Sequence, residues 1–443
     1  MSKSAPDLTK IGAISSPQNM EISTSIIEPI QQNDNFAKFV LLNRGILHSN
    51  SKLQIALVNP TKDSFLPMGV GSHGLIQRCV LKAGTKTISE TDDWNHLQNY
   101  HSMFVSNEAK VEREGVLTGR CGHYGYDSDD LVRIENFNDF DGTNQTMHSY
   151  QNLTQQPTWQ ITLSELFPFL KQIQLPLYCM KDQLSIEIHF APIGKRSWYR
   201  KTQADGDFKI DPVQTKMIVD YIHYDQDSMD TYQRQIETKG FQIPIFDHVL
   251  IRNSITLTAN AMASYTRNLG CANRMVNKVI IANTNENQGT ASFCNTYNSQ
   301  WNEISQDKGD FLVNLKYNDR NVWPRDIDSS AHAFSLLTAA ESLPPFLLKN
   351  EYDGSQGALI TANTFEGYAL SVASLNCPKR YITLQPNRGD RINGRGLDLN
   401  ITMKKFPTHS PAGTALGKLT QRVWCETAKV ISLKDGRLSC VYA

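Results

Sequence analysis

A short stretch of the sequence contains residue types that bind metal ions: Cys121 and His123 are followed by Asp127, Asp129 and Asp130. A structural zinc site needs four ligands, usually arranged as two spaced pairs. The stretch offers a single Cys-x-His and no second pair, so it is typical of a surface loop. We predict no metal ligand there.

Gly69, Gly71 and Gly74 satisfy the G-x-G-x-x-G pattern that binds dinucleotide phosphates. That pattern works only where a strand precedes it and a helix follows, because the phosphate lies at the helix N-terminus. Here Ser64 to Pro67 precede it, and the strand-like residues Leu75 to Leu81 follow. We predict a glycine-rich loop between strands and no cofactor site.

Two other patterns resemble short binding motifs. Asp225, Asp227 and Asp230 lack the glycine and the distal glutamate of a calcium loop, so we interpret them as a solvated turn between domains. Arg388-Gly389-Asp390 spells an adhesion tripeptide that arises readily by chance in a glycine-rich turn. The sequence has no GxSxG, HExxH or P-loop motif. We therefore predict no catalytic, cofactor-binding or metal-binding residues, no cofactor and no enzymatic activity.

The composition indicates a globular protein without a strong electrostatic field. Hydrophobic residues make up 40% of the 443 residues and charged residues 20%, a length that suggests two or three domains. Lys plus Arg and Asp plus Glu both total 44, which disfavours binding to nucleic acid through net charge. The 8 cysteines occur singly and are typical of reduced, packed thiols.

The N-terminal residues Met1 to Gln18 are polar and lack the apolar stretch of a secretory signal. No segment approaches the ~18 consecutive apolar residues of a membrane span. We expect a flexible N-terminal arm over residues 1–20 and a protein that is made and used inside a cell.

Alternation of apolar and polar residues, the pattern of a strand with one buried face, recurs along the whole chain. It is clear at Leu53 to Leu57, Leu184 to Phe190, Val313 to Tyr317 and Leu397 to Met403. Asp435-Gly436 between two such runs predicts a tight C-terminal hairpin. The sequence therefore predicts an all-β protein.

Helical signals are few. Thr162 to Leu170 carries a capping box, and Ser329 to Leu343 places apolar residues at helical spacing before a Pro-Pro stop. Long polar segments separate the strands at Tyr124 to Pro157, Lys195 to Asp211 and Asn283 to Lys308. Each half thus repeats one coarse layout: early strands, a polar insertion, one helix and closing strands.

Four segments, taken in this order, resemble the major capsid proteins of the double jelly-roll lineage. Leu166 to Pro192 resembles the end of a first jelly roll, and Asp220 to Asp225 resembles the link to a second one. Tyr381 to Leu399 is similar to the closing region of that family. Gly71 to Gly84 looks closest to polinton-like viruses and virophages.

The resemblance implies two tandem eight-stranded jelly rolls, at 21–218 and 219–443, with a few short helices and long loops. It implies homotrimeric, pseudo-hexameric capsomers that tile an icosahedral shell, because two similar barrels in each of three chains give six similar units around one axis. The implied partners are further copies of the chain and penton and minor capsid proteins, without sequence-specific nucleic acid. Contact with an internal membrane stays open. The implied location is the virion shell, assembled in the cytoplasm or nucleus.

Two alternatives remain. Jelly rolls also occur in carbohydrate-binding and glycan-processing proteins, which would need a pair of carboxylates at a concave site. A scaffold protein that is not viral would lack higher-order assembly. The tryptophans are interpreted as core fillers and interface anchors instead of a sugar-binding platform: Trp94, Trp159, Trp198, Trp301, Trp323 and Trp424.

Overall fold

The computed structural model describes part of the chain in detail. The described residues are 20–58, 64–65, 71–102, 104, 115–118, 158–192, 198–199, 209–256, 263–285, 311–317, 319–327, 381–384, 397–403 and 418–442. Residues 1–19 of the expected N-terminal arm, Gly69, the Cys121-His123 stretch, the expected helix at Ser329 to Leu343 and the Arg388-Gly389-Asp390 tripeptide lie outside them, as do most of the long polar segments.

The first half of the chain forms two main antiparallel sheets. Its strands are β1 (Met20–Ile27), β2 (Gln31–Asn33), β3 (Phe36–Val40), β4 (Ile46–Leu47), β5 (Lys52–Val58), β6 (Ser64–Phe65), β7 (Ile76–Ala83), β8 (Lys86–Asp92), β9 (Thr158–Thr162), β10 (Leu184–Phe190), β11 (Trp198–Tyr199), β12 (Lys209–Ile210) and β13 (Lys216–Tyr224). One sheet has the order β1-β13-β5-β12, with β4 on β13 and β9 on β5, and the other has the order β2-β3-β10-β7-β8. A short ribbon pairs β11 with β6.

The second half repeats this two-sheet arrangement. Its strands are β14 (Phe241–Thr256), β15 (Ala263–Asn268), β16 (Val276–Asn285), β17 (Phe311–Tyr317), β18 (Arg320–Asn321), β19 (Tyr381–Leu384), β20 (Leu397–Met403), β21 (Lys418–Lys434) and β22 (Arg437–Tyr442). One sheet has the order β14-β21-β16-β19, with β22 on β21, and the other has the order β15-β20-β17-β18.

Short helices lie between the strands. The α-helices are α1 (Trp94–Ser102), α2 (Gly115–Thr118), α3 (Leu163–Leu166) and α4 (Gln226–Lys239), and single 3-10 turns occupy Gly71–Leu75, Pro168–Lys171 and Leu177–Cys179. The predicted capping box is confirmed, since the Thr162 backbone N–H donates to Glu165 Oε2 over 3.2 Å. The glycine-rich segment precedes a strand as predicted, but Gly71 and Gly74 lie in a buried 3-10 turn instead of a loop.

The runs predicted at Leu53 to Leu57, Leu184 to Phe190, Val313 to Tyr317 and Leu397 to Met403 lie in β5, β10, β17 and β20. In β5 the alternating residues Leu53, Ile55 and Leu57 are all buried. In β10 the expectation of one wet face was wrong, because every residue except His189 is buried. β10 lies between β3 and β7, and Glu187 on its polar face is covered by Lys38 (3.2 Å) and Lys82 (2.6 Å).

The C-terminal hairpin is also confirmed. Asp435 and Gly436 connect β21 and β22, and both have left-handed backbone with φ values of 52° and 75°. Such a two-residue turn matches the right-handed twist of the strands, and Asp-Gly is among the pairs that adopt it most readily.

The expected turn at Asp225 to Asp230 is instead the start of the 14-residue helix α4. Asp225 caps it by accepting from the Ser228 backbone N–H over 3.1 Å. Tyr232 and Ile236, one turn apart, bury its inner face, and Gly240 ends it at φ 66°. The helix follows β13, and β13 runs continuously across the expected domain limit at 218/219. The exact domain limits stay a prediction.

The core joins the two halves. A continuous cluster of buried residues fills the first half between its two sheets, and it also contains Tyr232 and Ile236 from α4. Ile431, Leu433 and Leu438 of the C-terminal hairpin belong to the same cluster. The two halves are therefore packed together by apolar contact.

Candidate functional site

The contact between the halves, called the seam, joins β8 and α1 of the first half to β14, β21 and β22 of the second. At one end of the seam, the turn between β21 and β22 packs against the segment that follows the Leu177–Cys179 turn. The Lys181 backbone N–H donates to Gly436 O over 2.7 Å. A side chain at Gly436 would meet Lys181 Cγ at 2.8 Å and Cys179 O at 3.0 Å, so only glycine fits this approach.

Asp93 is the central charge of the seam. Its side chain is 4% exposed and accepts from Arg252 Nε (2.8 Å), Arg252 Nη2 (2.6 Å) and Arg422 Nε (2.7 Å). Both arginines belong to the second half, whereas Asp93 directly follows β8 with φ 47°. Such charge-assisted pairs have strict geometry, so they fix the orientation of the two halves.

Asp247 of β14 is a carboxylate of the second half that accepts hydrogen bonds from the first half. It accepts from Ser89 Oγ (3.3 Å) and from the Glu90 backbone N–H (3.4 Å), both on β8, and from Lys429 Nζ (2.6 Å). Burial acts to lower the pKa of Lys429, but the Asp247 carboxylate outweighs it and the pKa is raised. Lys429 therefore stays charged in the seam.

Helix α1 adds an apolar contact. Its Leu97 and Tyr100 pack with Ile280, Ala282 and Trp424 of the second half in one buried cluster. Trp424 also donates through Nε1 to Asp92 O over 3.1 Å. The indole thus fills apolar space while its polar edge is satisfied.

Glu426 of β21 is the centre of a charged cluster in the second half, beside the seam. It accepts from Asn277 Nδ2 over 2.6 Å and lies 3.5 Å from Lys278 Nζ and 3.7 Å from His248 Nε2. Burial acts to raise the pKa of Glu426, but Lys278 and His248 lower it below its usual value. The ring of His248 in turn meets the ring of His101 on α1, with centroids 6.2 Å apart.

A cleft of about 360 Å³ opens along the seam, and Glu90 and Asp92 of β8 face it. Both carboxylates contact Arg78, with Arg78 Nε 3.1 Å from Asp92 Oδ1. Burial raises the pKa of Asp92 although Arg78 opposes the shift. Arg78 therefore bridges the two carboxylates on the wall of the cleft.

The opposite edge of the first half, called the open edge, is formed by β1 and β2, each the last strand of its sheet. Met20, Ile22 and Ile26 lie on one face of β1, with 54%, 48% and 66% of their surfaces exposed, and Ile30 in the following turn is 65% exposed. Contiguous exposed apolar side chains mark interaction surfaces.

The prediction that tryptophans fill the core is confirmed for Trp94, Trp159 and Trp424, which are buried, whereas Trp323 is only half-buried. The side chains of Trp198 and Trp301 are outside the described set. Sequence reasoning named no functional residue, and it missed Asp93 and Asp247. No local signal marks them, because each acts through partners more than 150 positions away.

The described part of the chain contains no group of three or more metal-binding side chains. Within the same residues, no helix has the length and apolar character needed to cross a membrane. The prediction of no functional site residues remains untested by these observations.

No protein-family profile and no curated protein match this sequence. Solved structures do match its fold. The virophage Sputnik structure superposes with a TM-score of 0.58 over 97% of this chain and 89% of its own, at 9% identity. PBCV-1 VP54, fitted into a reconstruction of Sputnik, gives 0.57 over 97% and 98%, at 12% identity. The mavirus major capsid protein gives 0.50 over 97% and 91%, at 9% identity.

The chain therefore has the double jelly-roll fold, and the fold class expected from the sequence is confirmed. Within that class its structural neighbours are the capsid proteins of virophages and of PBCV-1, which bears out the resemblance at the level of fold. The closer placement beside polinton-like viruses stays a prediction.

Proposed function

We propose that this chain is a major capsid protein, a structural building block of an icosahedral shell. The observation that carries the proposal is the pairing of two jelly rolls, held side by side by the Asp93 and Asp247 contacts, in a chain whose fold is that of solved capsid proteins. A building block needs a fixed internal geometry, and the seam provides it.

We further propose a homotrimer as the capsomer. The seam covers the β8 edge of the first half. Strand β2 of the open edge lies at the opposite end of the same sheet, and β1 is the end strand of the other sheet. A head-to-tail contact between the open edge and the second half of the next copy closes into a ring when the rotation is right. Three copies give six barrels and a pseudo-hexagonal outline.

This role involves no catalysis and places the protein in the virion shell after assembly in the host cell. Its partners are further copies and the penton and minor capsid proteins, with no sequence-specific nucleic acid. We propose the limits expected from the sequence, 21–218 and 219–443, for the two jelly rolls.

The test is the assembly state of the purified full-length protein. Light scattering after size-exclusion chromatography is expected to give a trimer mass, and negative-stain microscopy is expected to show shells or sheets as salt and pH are varied. A monomer that forms no particles under any of these conditions would refute the proposal.

A further inference from the structure

Two cysteines meet inside the second half, away from the seam and the open edge. Cys425 lies on β21 opposite Val279 of β16. Cys271 lies in the loop that leads into β16, and this loop returns beside β21, where the Ala428 backbone N–H donates to Met275 O over 2.9 Å. Both side chains are 0% exposed and both thiols are free. Cys271 Sγ donates to Leu269 O over 3.1 Å, and the Cys425 thiol is hydrogen-bonded to Cys271.

The two thiols differ in character. The hydrogen bond from Cys425 and the charge of Arg274 lower the pKa of Cys271 against the opposing effect of burial, whereas the same contact and burial both raise the pKa of Cys425. A thiol of lowered pKa is the better nucleophile because more of it is thiolate. Cys271 also lies in a loop, whereas Cys425 is paired with Val249 and Val279 on both sides of β21, so Cys271 is the thiol that reacts first.

The loop around Cys271 has room to move. Gly270, Ala272 and Asn273 beside it are exposed. Gly270 has φ 61° and no atom within 4 Å of the position where a side chain would begin. A small oxidant thus needs only a local opening of this loop, and not unfolding of β21, to reach Cys271.

We propose that Cys271 and Cys425 form a redox modification site that closes into an intrachain disulfide when the protein meets a peroxide. The Cys271 thiolate attacks one oxygen of hydrogen peroxide and the O–O bond breaks, which gives a sulfenic acid and hydroxide, and the hydroxide takes up the proton that the Cys271 thiol had released and becomes water. The Cys425 sulfur then attacks the Cys271 sulfur, an S–S bond forms, and the hydroxyl leaves as a second water. The two thiols lose two electrons and the peroxide gains them.

The bond would close a loop of roughly 150 residues in the unfolded chain, a length for which the loss of chain entropy is large. It would tie the loop before β16 to the central strand of the sheet. The expected consequence is a protein that resists unfolding more strongly after oxidation. This inference does not depend on the capsid role.

The test uses the wild-type full-length protein, treated with dilute hydrogen peroxide, alkylated, digested with trypsin and analysed without reduction by mass spectrometry. Trypsin isolates each cysteine in its own peptide, Asn268 to Arg274 and Val423 to Lys429. We expect a linked pair of these peptides with a mass two hydrogens below their sum, lost on treatment with dithiothreitol. We also expect the oxidised protein to have a Tm several degrees higher.

The control variants are Cys271→Ser, which must abolish the linked peptide and the Tm increase, and Cys440→Ser, which must leave both unchanged. Cys440 is a half-buried thiol on β22 of the same sheet. The inference is overturned if Cys271 accumulates as sulfinic acid with no linked peptide. It is equally overturned if both thiols stay reduced while other cysteines oxidise.

Discussion

The two edges of the first half differ in chemistry. At the β8 edge, which forms the seam, Asp93 binds Arg252 and Arg422 of the second half, and β8 donates from Ser89 and Glu90 to Asp247 of that half. The open edge presents Met20, Ile22, Ile26 and Ile30 to solvent. A partner in the same chain is always present, so oriented charge pairs can define a single geometry there. A contact with another copy must overcome the entropy of association, and burial of apolar surface supplies that driving force.

Loss of the central charge at the seam is expected to have the largest effect. Asp93→Asn removes the negative charge but keeps a residue type that accepts φ 47°. Arg252 and Arg422 then share a neutral partner at a partly buried site, and we expect the free energy of unfolding to fall by about 3 kcal/mol. Urea denaturation measures this loss.

The matched control is Asp435→Asn, the same substitution at φ 52° in the exposed hairpin turn. Asn-Gly suits that turn as well as Asp-Gly does, so no loss is expected. Equal stability of the two variants would mean that the Asp93 ion pairs do not hold the halves together.

The docked hairpin turn should be the next most sensitive point. Gly436→Ala places a methyl group 2.8 Å from Lys181 Cγ and 3.0 Å from Cys179 O in addition to straining the backbone at φ 75°. We expect a loss of about 2 kcal/mol or more. Gly270→Ala has the strain without the contacts, since nothing lies within 4 Å, and should lose only about 1 kcal/mol. A difference near zero between the two variants would show that the hairpin does not dock.

The sequence predicted the strands but not the seam, for physical reasons. Alternation located β5, and Asp435-Gly436 located the last hairpin, because both depend on neighbouring residues. Asp93 and Arg422 are 329 positions apart, so no local pattern connects them. Helix α4 was missed although Asp225 as cap, Tyr232 and Ile236 at helical spacing, and Gly240 as terminator were all visible. The helix was missed because Asp225, Asp227 and Asp230 were interpreted as a solvated turn.

The Glu426 cluster beside the seam should respond to acid. The pKa of Glu426 is lowered from 4.5 in the folded protein, so its stabilising contribution is present above that value and is lost as the pH falls through the lower folded pKa. Wild-type Tm should therefore decrease more steeply below pH 4.5 than that of Glu426→Gln, which cannot titrate. The control Glu28→Gln changes a side chain that is 78% exposed and should keep the wild-type slope. If the plots of Tm against pH are parallel for wild type and Glu426→Gln, groups other than Glu426 cause the loss of stability in acid.

The smallest effect on folding, but a decisive effect on assembly, is expected at the open edge. Ile26→Asp replaces a side chain that is already 66% exposed, so the free energy of unfolding should change by less than about 0.5 kcal/mol. If copies meet through this edge, the charge is buried without a partner at the contact, and light scattering should show that trimers dissociate to monomers.

The control Val213→Asp makes the same change at a residue that is 68% exposed in the turn before β13 and should leave the trimer intact. Because both variants keep an intact seam, dissociation of the first alone would separate the contact between copies from the contact within one copy. If Ile26→Asp still forms trimers, the contact between copies lies elsewhere on the molecule.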